Sequence, residues 1–175
     1  IQKIKEDKMD QVYTFAGSLF HEILEKFYRK EIKFEDMIDL FNDGWTTFEI
    51  LGLKFDRTDN KKNKSIATKY KANIEHFFRY HNVLNCKVDL ERFITIKIGN
   101  YIFQGYIDLI RTDEYGNYII QDWKSSSIYK GDKIKKESGQ LLLYAEGLRQ
   151  LGVPLDKIKA CWNFLKYVEV SVPLV

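Results

Sequence analysis

A mixed α/β fold is what this 175-residue sequence predicts, and three patterns predict it. Apolar residues recur at spacings of three and four through the first half. They alternate every second position from residue 88 onward. A last helical stretch, stopped by Gly152 and Pro154, precedes a returning strand. The length fits a single domain, residues 1–175, with room for a sizeable core. Hydrophobic residues make up 45% and charged residues 30%, a globular rather than a disordered balance.

From Thr14 to Lys30, Ala16, Leu19, Phe20, Ile23, Leu24 and Phe27 mark one buried helical face, with Thr14 as the expected N-cap. A second helix is expected from Phe34 to about Ile50, stopped by Gly52. Asp56 to Lys64 is polar and basic and reads as a loop, after which Ser65 is expected to cap a third helix ending near His81. The period then changes to two. Strands are expected at Val88–Ile98, Tyr101–Arg111 and Tyr118–Lys124, joined by a tight Gly99-Asn100 turn and a second turn within Thr112–Asn117. A basic loop leads to a helix from about Lys135 to Leu151. Further strands are expected at Lys159–Val168 and Val170–Val175. The chain opens on Ile1 and closes on Val175 within an apolar stretch, so a fragment of a longer polypeptide is expected.

No apolar run is long enough for a bilayer-spanning helix, so a spanning membrane protein is excluded and a cytoplasmic setting expected. Cys86 and Cys161 form no CxxC pair, which disfavours structural zinc or a disulfide framework; both read as small buried hydrophobes. The net charge of +3 is modest, but its distribution is uneven. Lys54–Lys71 and Lys124–Lys136, the latter with Lys130, Lys133, Lys135 and Lys136, are each either a phosphate-facing patch or a solvated loop.

The chemistry concentrates at strand ends. In Asp122-Trp123-Lys124 the two charged side chains lie two apart and share a strand face. Alone, that pattern carries little information. Asp108, within Gly105-Tyr106-Ile107-Asp108, adds to it: if the intervening turn centres on Tyr115, Asp108 falls directly opposite Asp122. Opposed carboxylates destabilise a sheet unless a positive charge lies between them, and a divalent cation with Lys124 beside it is the economical answer. A buried ion pair between Asp108 and Lys124 is the alternative. On the first helix Gly17 and His21 share a face, His21 being either a hydrogen-bonded boundary residue or a further ligand. Gly17 implies a close approach in the helix interior. Gln140 and Tyr144 share a face of the late helix, as part of an ordinary amphipathic helix or as a polar rim above the site.

In order, Gly17-Ser18-Leu19-Phe20-His21, Gly105-Tyr106-Ile107-Asp108, Asp122-Trp123-Lys124 and Gln140-Leu141-Leu142-Leu143-Tyr144 resemble the GxxxH, GxxD, DxK and QxxxY motifs of the RecB-like branch of the PD-(D/E)XK nucleases. The resemblance covers about Thr14 to Tyr167. It implies a restriction-endonuclease-like core, a mixed central sheet flanked by helices, with an N-terminal helical portion. It implies a metal-dependent deoxyribonuclease, exonuclease-like in DNA end processing, repair or recombination. An endonuclease on RNA or structured DNA, and a non-catalytic nucleic-acid-binding module, are the alternatives. Mg²⁺ or Mn²⁺ would be held by His21, Asp108, Asp122 and the Trp123 carbonyl. Lys124 would activate the attacking water or steady the phosphate, Gln140 would support the site, and Tyr144 would sit near the DNA strand. Glu91 is a possible added acidic group. The iron–sulfur cysteines of some relatives have no counterpart in Cys86 or Cys161, so no cluster is expected here. DNA is the expected partner, with a helicase or second nuclease subunit beside it; no GxxxxGK[ST] loop is present in the chain.

Overall fold

A computed structural model describes residues 12–52, 60–165 and 170–173. The chain divides into two compact units, one running through Arg79 and one beginning at Tyr80.

The first unit is helical: α1 (Val12–Tyr28), α2 (Asp36–Ile50) and α3 (Asn60–Tyr80). The stripe expected on α1 is its buried face, with Ala16, Phe20, Ile23 and Leu24 sealed from solvent. Its core is aromatic. Phe20 stacks on Phe78 at 5.0 Å between ring centroids and meets Phe77 edge-on at 5.2 Å. Trp45 stacks over Tyr70 at 6.1 Å and Phe41 tilts against Phe78 at 5.8 Å. Such pairs contribute about 0.5–1.5 kcal/mol each beyond their buried area. At Gly44 a Cβ would run into the Leu19 side chain, so glycine lets α1 and α2 close on each other.

Helix starts were the weakest expectations. Thr14 is not a cap but lies inside α1. α2 begins at Asp36 rather than Phe34; the preceding turn is closed by Asp36 N–H to the Lys33 carbonyl at 3.2 Å, and the Asp36 carboxylate accepts the Lys33 N–H at 2.8 Å. Ser65 likewise lies inside α3, which starts at Asn60. Lysine is a good helix former, so Lys61, Lys62 and Lys64 extend the helix into what read as a loop. Residues 53–59 of that loop lie outside the described residues.

The second unit is a five-stranded sheet in the order β1 (Val88–Ile98), β2 (Tyr101–Thr112), β3 (Tyr118–Lys124), β4 (Ile158–Phe164), β5 (Val170–Pro173). It is mixed: β3 and β4 are parallel and the other neighbours antiparallel. The parallel pair needs a crossover, which α4 (Asp132–Gln150) supplies. Gly99, at φ 58°, turns β1 into β2 with Ile98 facing Tyr101. The β2–β3 turn is organised by Asp113, whose Oδ1 accepts the N–H groups of Tyr115 and Asn117 at 3.0 and 2.9 Å.

α4 packs on one sheet face. Leu141, Tyr144 and Leu148 join Ile94, Ile96, Ile107, Ile120 and Trp162 in one core. A Cβ on Gly147 would come within 2.7 Å of Ile94, so that glycine sets how closely helix and sheet approach. α4 starts at Asp132, three residues before the expected Lys135. β2 runs one residue further, to Thr112. β4 is Ile158–Phe164; the rest of the strand expected to Val168 falls largely outside the described residues, as do 174 and 175. Cys161 is buried as expected, whereas Cys86 is exposed in the segment leading into β1. Among the described residues no helix is long and apolar enough to cross a membrane.

Candidate active site

The sheet unit brings six of the expected site residues together. β2 supplies Asp108, β3 supplies Asp122, Trp123 and Lys124, and α4 supplies Gln140 and Tyr144. The β2–β3 register pairs Leu109 with Gln121 and Ile110 with Ile120, a turn centred on Tyr115. The paired ladder ends there, with Asp108 and Asp122 the next residues on their strands. The Asp108 Oδ2 accepts the Trp123 backbone N–H at 2.8 Å, which ties the two strands together at the site.

Lys124 chooses Asp122. Its Nζ lies 2.6 Å from the Asp122 Oδ2, the carboxylate being 2% exposed and the lysine 24%. The alternative pairing of Lys124 with Asp108 is not the one formed, although the lysine's charge is felt there. A line of polar contacts continues onto α4. Lys124 Nζ donates to Gln140 Oε1 at 3.3 Å, and Gln140 Nε2 donates to the Tyr144 hydroxyl at 2.9 Å. The i, i+4 pair is thus a polar rim, held in place because Gly105 leaves room for it: a Cβ there would sit 3.3 Å from the Tyr144 ring. That contact gives the glycine of Gly105–Asp108 a physical reason. Tyr144 itself is buried.

Glu91 belongs to this group, and its geometry is unusual. In the β1–β2 register, Leu90 faces Leu109 and Arg92 faces Ile107, which leaves Glu91 opposite Asp108. Carboxylate oxygens of the two residues lie within 4.8 Å. Glu91 has φ 48°, the left-handed region a non-glycine residue adopts at a cost. Nothing in the sequence signals that conformation; only its place on the first strand made it a candidate.

The electrostatics follow from burial. Desolvation pushes the Asp108 carboxyl up to about 6, against the pull of the Trp123 N–H and the Lys124 ammonium. Burial also disfavours the Lys124 charge, but the Asp122 carboxylate outweighs it and holds the ammonium above its ordinary range. Burial raises the Tyr144 phenol, with the Asp122 and Asp108 charges adding to it and Gln140 opposing.

The donor set suits a hard divalent cation: the Asp108 and Glu91 carboxylates, Asp122 on the neighbouring strand, and the backbone carbonyl of Trp123 are all oxygen donors. His21 lies on α1 in the helical unit, half-buried. Lys130, Lys133, Lys135 and Lys136 are exposed around the start of α4, and Lys133 lies over the Tyr129 ring at 4.6 Å. The last three of these are helical rather than loop residues.

Comparison with curated proteins gives no match. The family model for the PD-(D/E)XK nuclease superfamily matches residues 1–170, across both units. With that match and an α/β sheet unit of the restriction-endonuclease-like kind, the chain belongs to the PD-(D/E)XK nuclease superfamily.

Proposed function

We propose that this chain is a Mg²⁺- or Mn²⁺-dependent deoxyribonuclease of the RecB-like kind that degrades DNA from ends, in end processing, repair or recombination. The observation that carries the hydrolytic reading is the Lys124 ammonium, 2.6 Å from Asp122 at the strand end, where the β2–β3 ladder leads up to Asp108. Asp108, Asp122 and the Trp123 carbonyl would hold the cation, with Glu91 on the same side. His21 would complete the set, as the spacing of Gly17 and His21 suggests. When bound, the cation supplies Lewis acidity and lowers the pKa of water, so no nucleophilic side chain is required.

The chain's own residues have defined tasks. Lys124 stays protonated at neutral pH, so it acts as a fixed positive charge and hydrogen-bond donor at the phosphate rather than as a general base. Asp122 keeps that ammonium in place. Gln140 accepts from Lys124 and donates to Tyr144, which fixes the lysine against α4 without neutralising it. Lys130, Lys133, Lys135 and Lys136 would meet the backbone phosphates of the strand, and Tyr144 would lie beside it.

The end-directed reading is tested with end-labelled linear DNA and covalently closed circles, single- and double-stranded, in Mg²⁺ or Mn²⁺. Loss of linear substrate alone, abolished by EDTA and by Lys124→Ala, is the expected result. Cutting of circles would replace the exonuclease with an endonuclease, and cutting of RNA alone would replace the substrate. Cation binding without cleavage of any substrate would leave a binding module.

A further inference from the structure

We infer that the β1–β2 ribbon beyond the site is a stacking platform for the bases of a single nucleic-acid strand, with Phe93 and Tyr106 as its two rings. The inference rests on the hydrolytic reading above and names how its substrate is held.

Four observations carry it. The β2–β3 ladder ends at Leu109, whereas the β1–β2 ladder runs on from Arg92 and Ile107 to the Ile98–Tyr101 turn. Phe93 and Tyr106 face each other across that ribbon with ring centroids 5.1 Å apart, and are 48% and 56% exposed. Because Ile94 and Gly105 lie against α4, the strand alternation puts both rings on the opposite face. Each ring is two residues along its strand from a carboxylate of the site, Phe93 from Glu91 and Tyr106 from Asp108.

The charge points to the same occupant. The chain has 25 acidic residues, yet none lies between Glu91 and Asp108. Arg92 shares the face of Ile94 and pairs with Asp89 at 3.6 Å, which leaves Lys97 as the cation on the face of Phe93; Thr95 and Gln104 form a polar row beside the rings, 3.5 Å apart. Exposed rings beside a cation and neutral hydrogen-bonding groups match unstacked bases on a phosphate backbone.

The test compares the full chain's affinity, in EDTA, for a short fluorescein-labelled oligothymidylate and for an abasic strand of the same length and charge. The expected result is that the base-bearing strand binds about tenfold tighter or more, and that the Phe93→Leu/Tyr106→Leu variant loses this preference while keeping its affinity for the abasic strand. Equal affinity of the unaltered chain for the two strands would overturn the inference, and that comparison requires no variant. A preserved preference in a leucine variant of unchanged melting temperature would overturn it too. Hydrolysis of bis(p-nitrophenyl) phosphate, a diester with no bases, is followed separately in Mn²⁺ with the unaltered chain and Lys124→Ala. Its absence would count against the hydrolytic reading alone, and leave the strand comparison standing.

Discussion

The helical unit and the sheet unit are built on opposite principles. In the first, the buried mass is aromatic, with Phe20, Phe41, Phe77 and Phe78 meeting ring to ring. In the second, a comparable apolar layer of Ile94, Ile96, Ile120 and Leu141 surrounds carboxylates that burial disfavours. One unit gains stability from nearly every group it hides. The other gives some up at Asp108, through burial of its carboxyl, and at Glu91, through its left-handed backbone, as functional sites commonly do. The difference is measurable, because apolar burial is insensitive to pH whereas a buried carboxylate is not.

The largest effect is expected in the helical unit. Phe78→Ala should lower its stability by about 3–5 kcal/mol, the usual cost of emptying an aromatic core position. Denaturant unfolding at pH 5 and pH 8 should return the same loss. A loss that changes with pH would mean that ionisable groups contribute to that core.

Lys124→Ala comes next. It removes the charge at the phosphate and leaves the Asp122 carboxylate without its ammonium, so hydrolysis should fall about 10²–10³-fold. Steady-state rates should show the fall in kcat. A fall confined to KM would instead assign Lys124 to strand binding.

Asp108→Asn should act in the opposite direction on stability. The Asp108 carboxyl is raised to about 6 from 3.8, so between those values the folded chain holds a proton that the unfolded chain has released. Stability therefore falls as pH rises through that window, by up to about 3 kcal/mol. Asparagine carries no charge, and its side-chain oxygen can still accept the Trp123 N–H. Without divalent cations the variant should be more stable by about 1–3 kcal/mol at pH 8 and equal to the parent near pH 3.5. Melting temperatures across pH would check this, and a variant that is less stable at pH 8 would contradict the strain assigned to Asp108.

Gly105→Ala should be the smallest of the four. Its Cβ would press on the Tyr144 ring at 3.3 Å, which that side chain can absorb by a small shift for about 1 kcal/mol. The expected signature is a modest loss of activity as the contact of Gln140 with Lys124 is disturbed, with a change in melting temperature of a few degrees at most.

Much of the sheet unit was legible because its signals are local. Alternation marked β1 to β3, Gly99-Asn100 marked the hairpin, and a turn centred on Tyr115 gave the β2–β3 register that leads up to Asp108 and Asp122. Helix starts were less legible. Lys61, Lys62, Lys64 and Lys133 are good helix formers that are equally at home in a solvated loop, so their composition alone does not mark where a helix starts. The partner of Lys124 was also open, since two carboxylates lay within its reach and only the backbone N–H of Trp123 on Asp108 separates their roles. The left-handed turn of Glu91 has no residue signature, because glutamate adopts that conformation only where neighbouring strands impose it.

The central proposal is that Asp108 and the carboxylates beside it hold a divalent cation. Calorimetric titration of Mn²⁺ into the unaltered chain and into Asp108→Asn, at pH 5 and pH 7.5, tests it most directly. The expected result is saturable binding that weakens at pH 5, where Asp108 is largely protonated, and is lost or severely reduced in Asp108→Asn at both values. Equal affinity in the two proteins, or binding indifferent to pH, would contradict it.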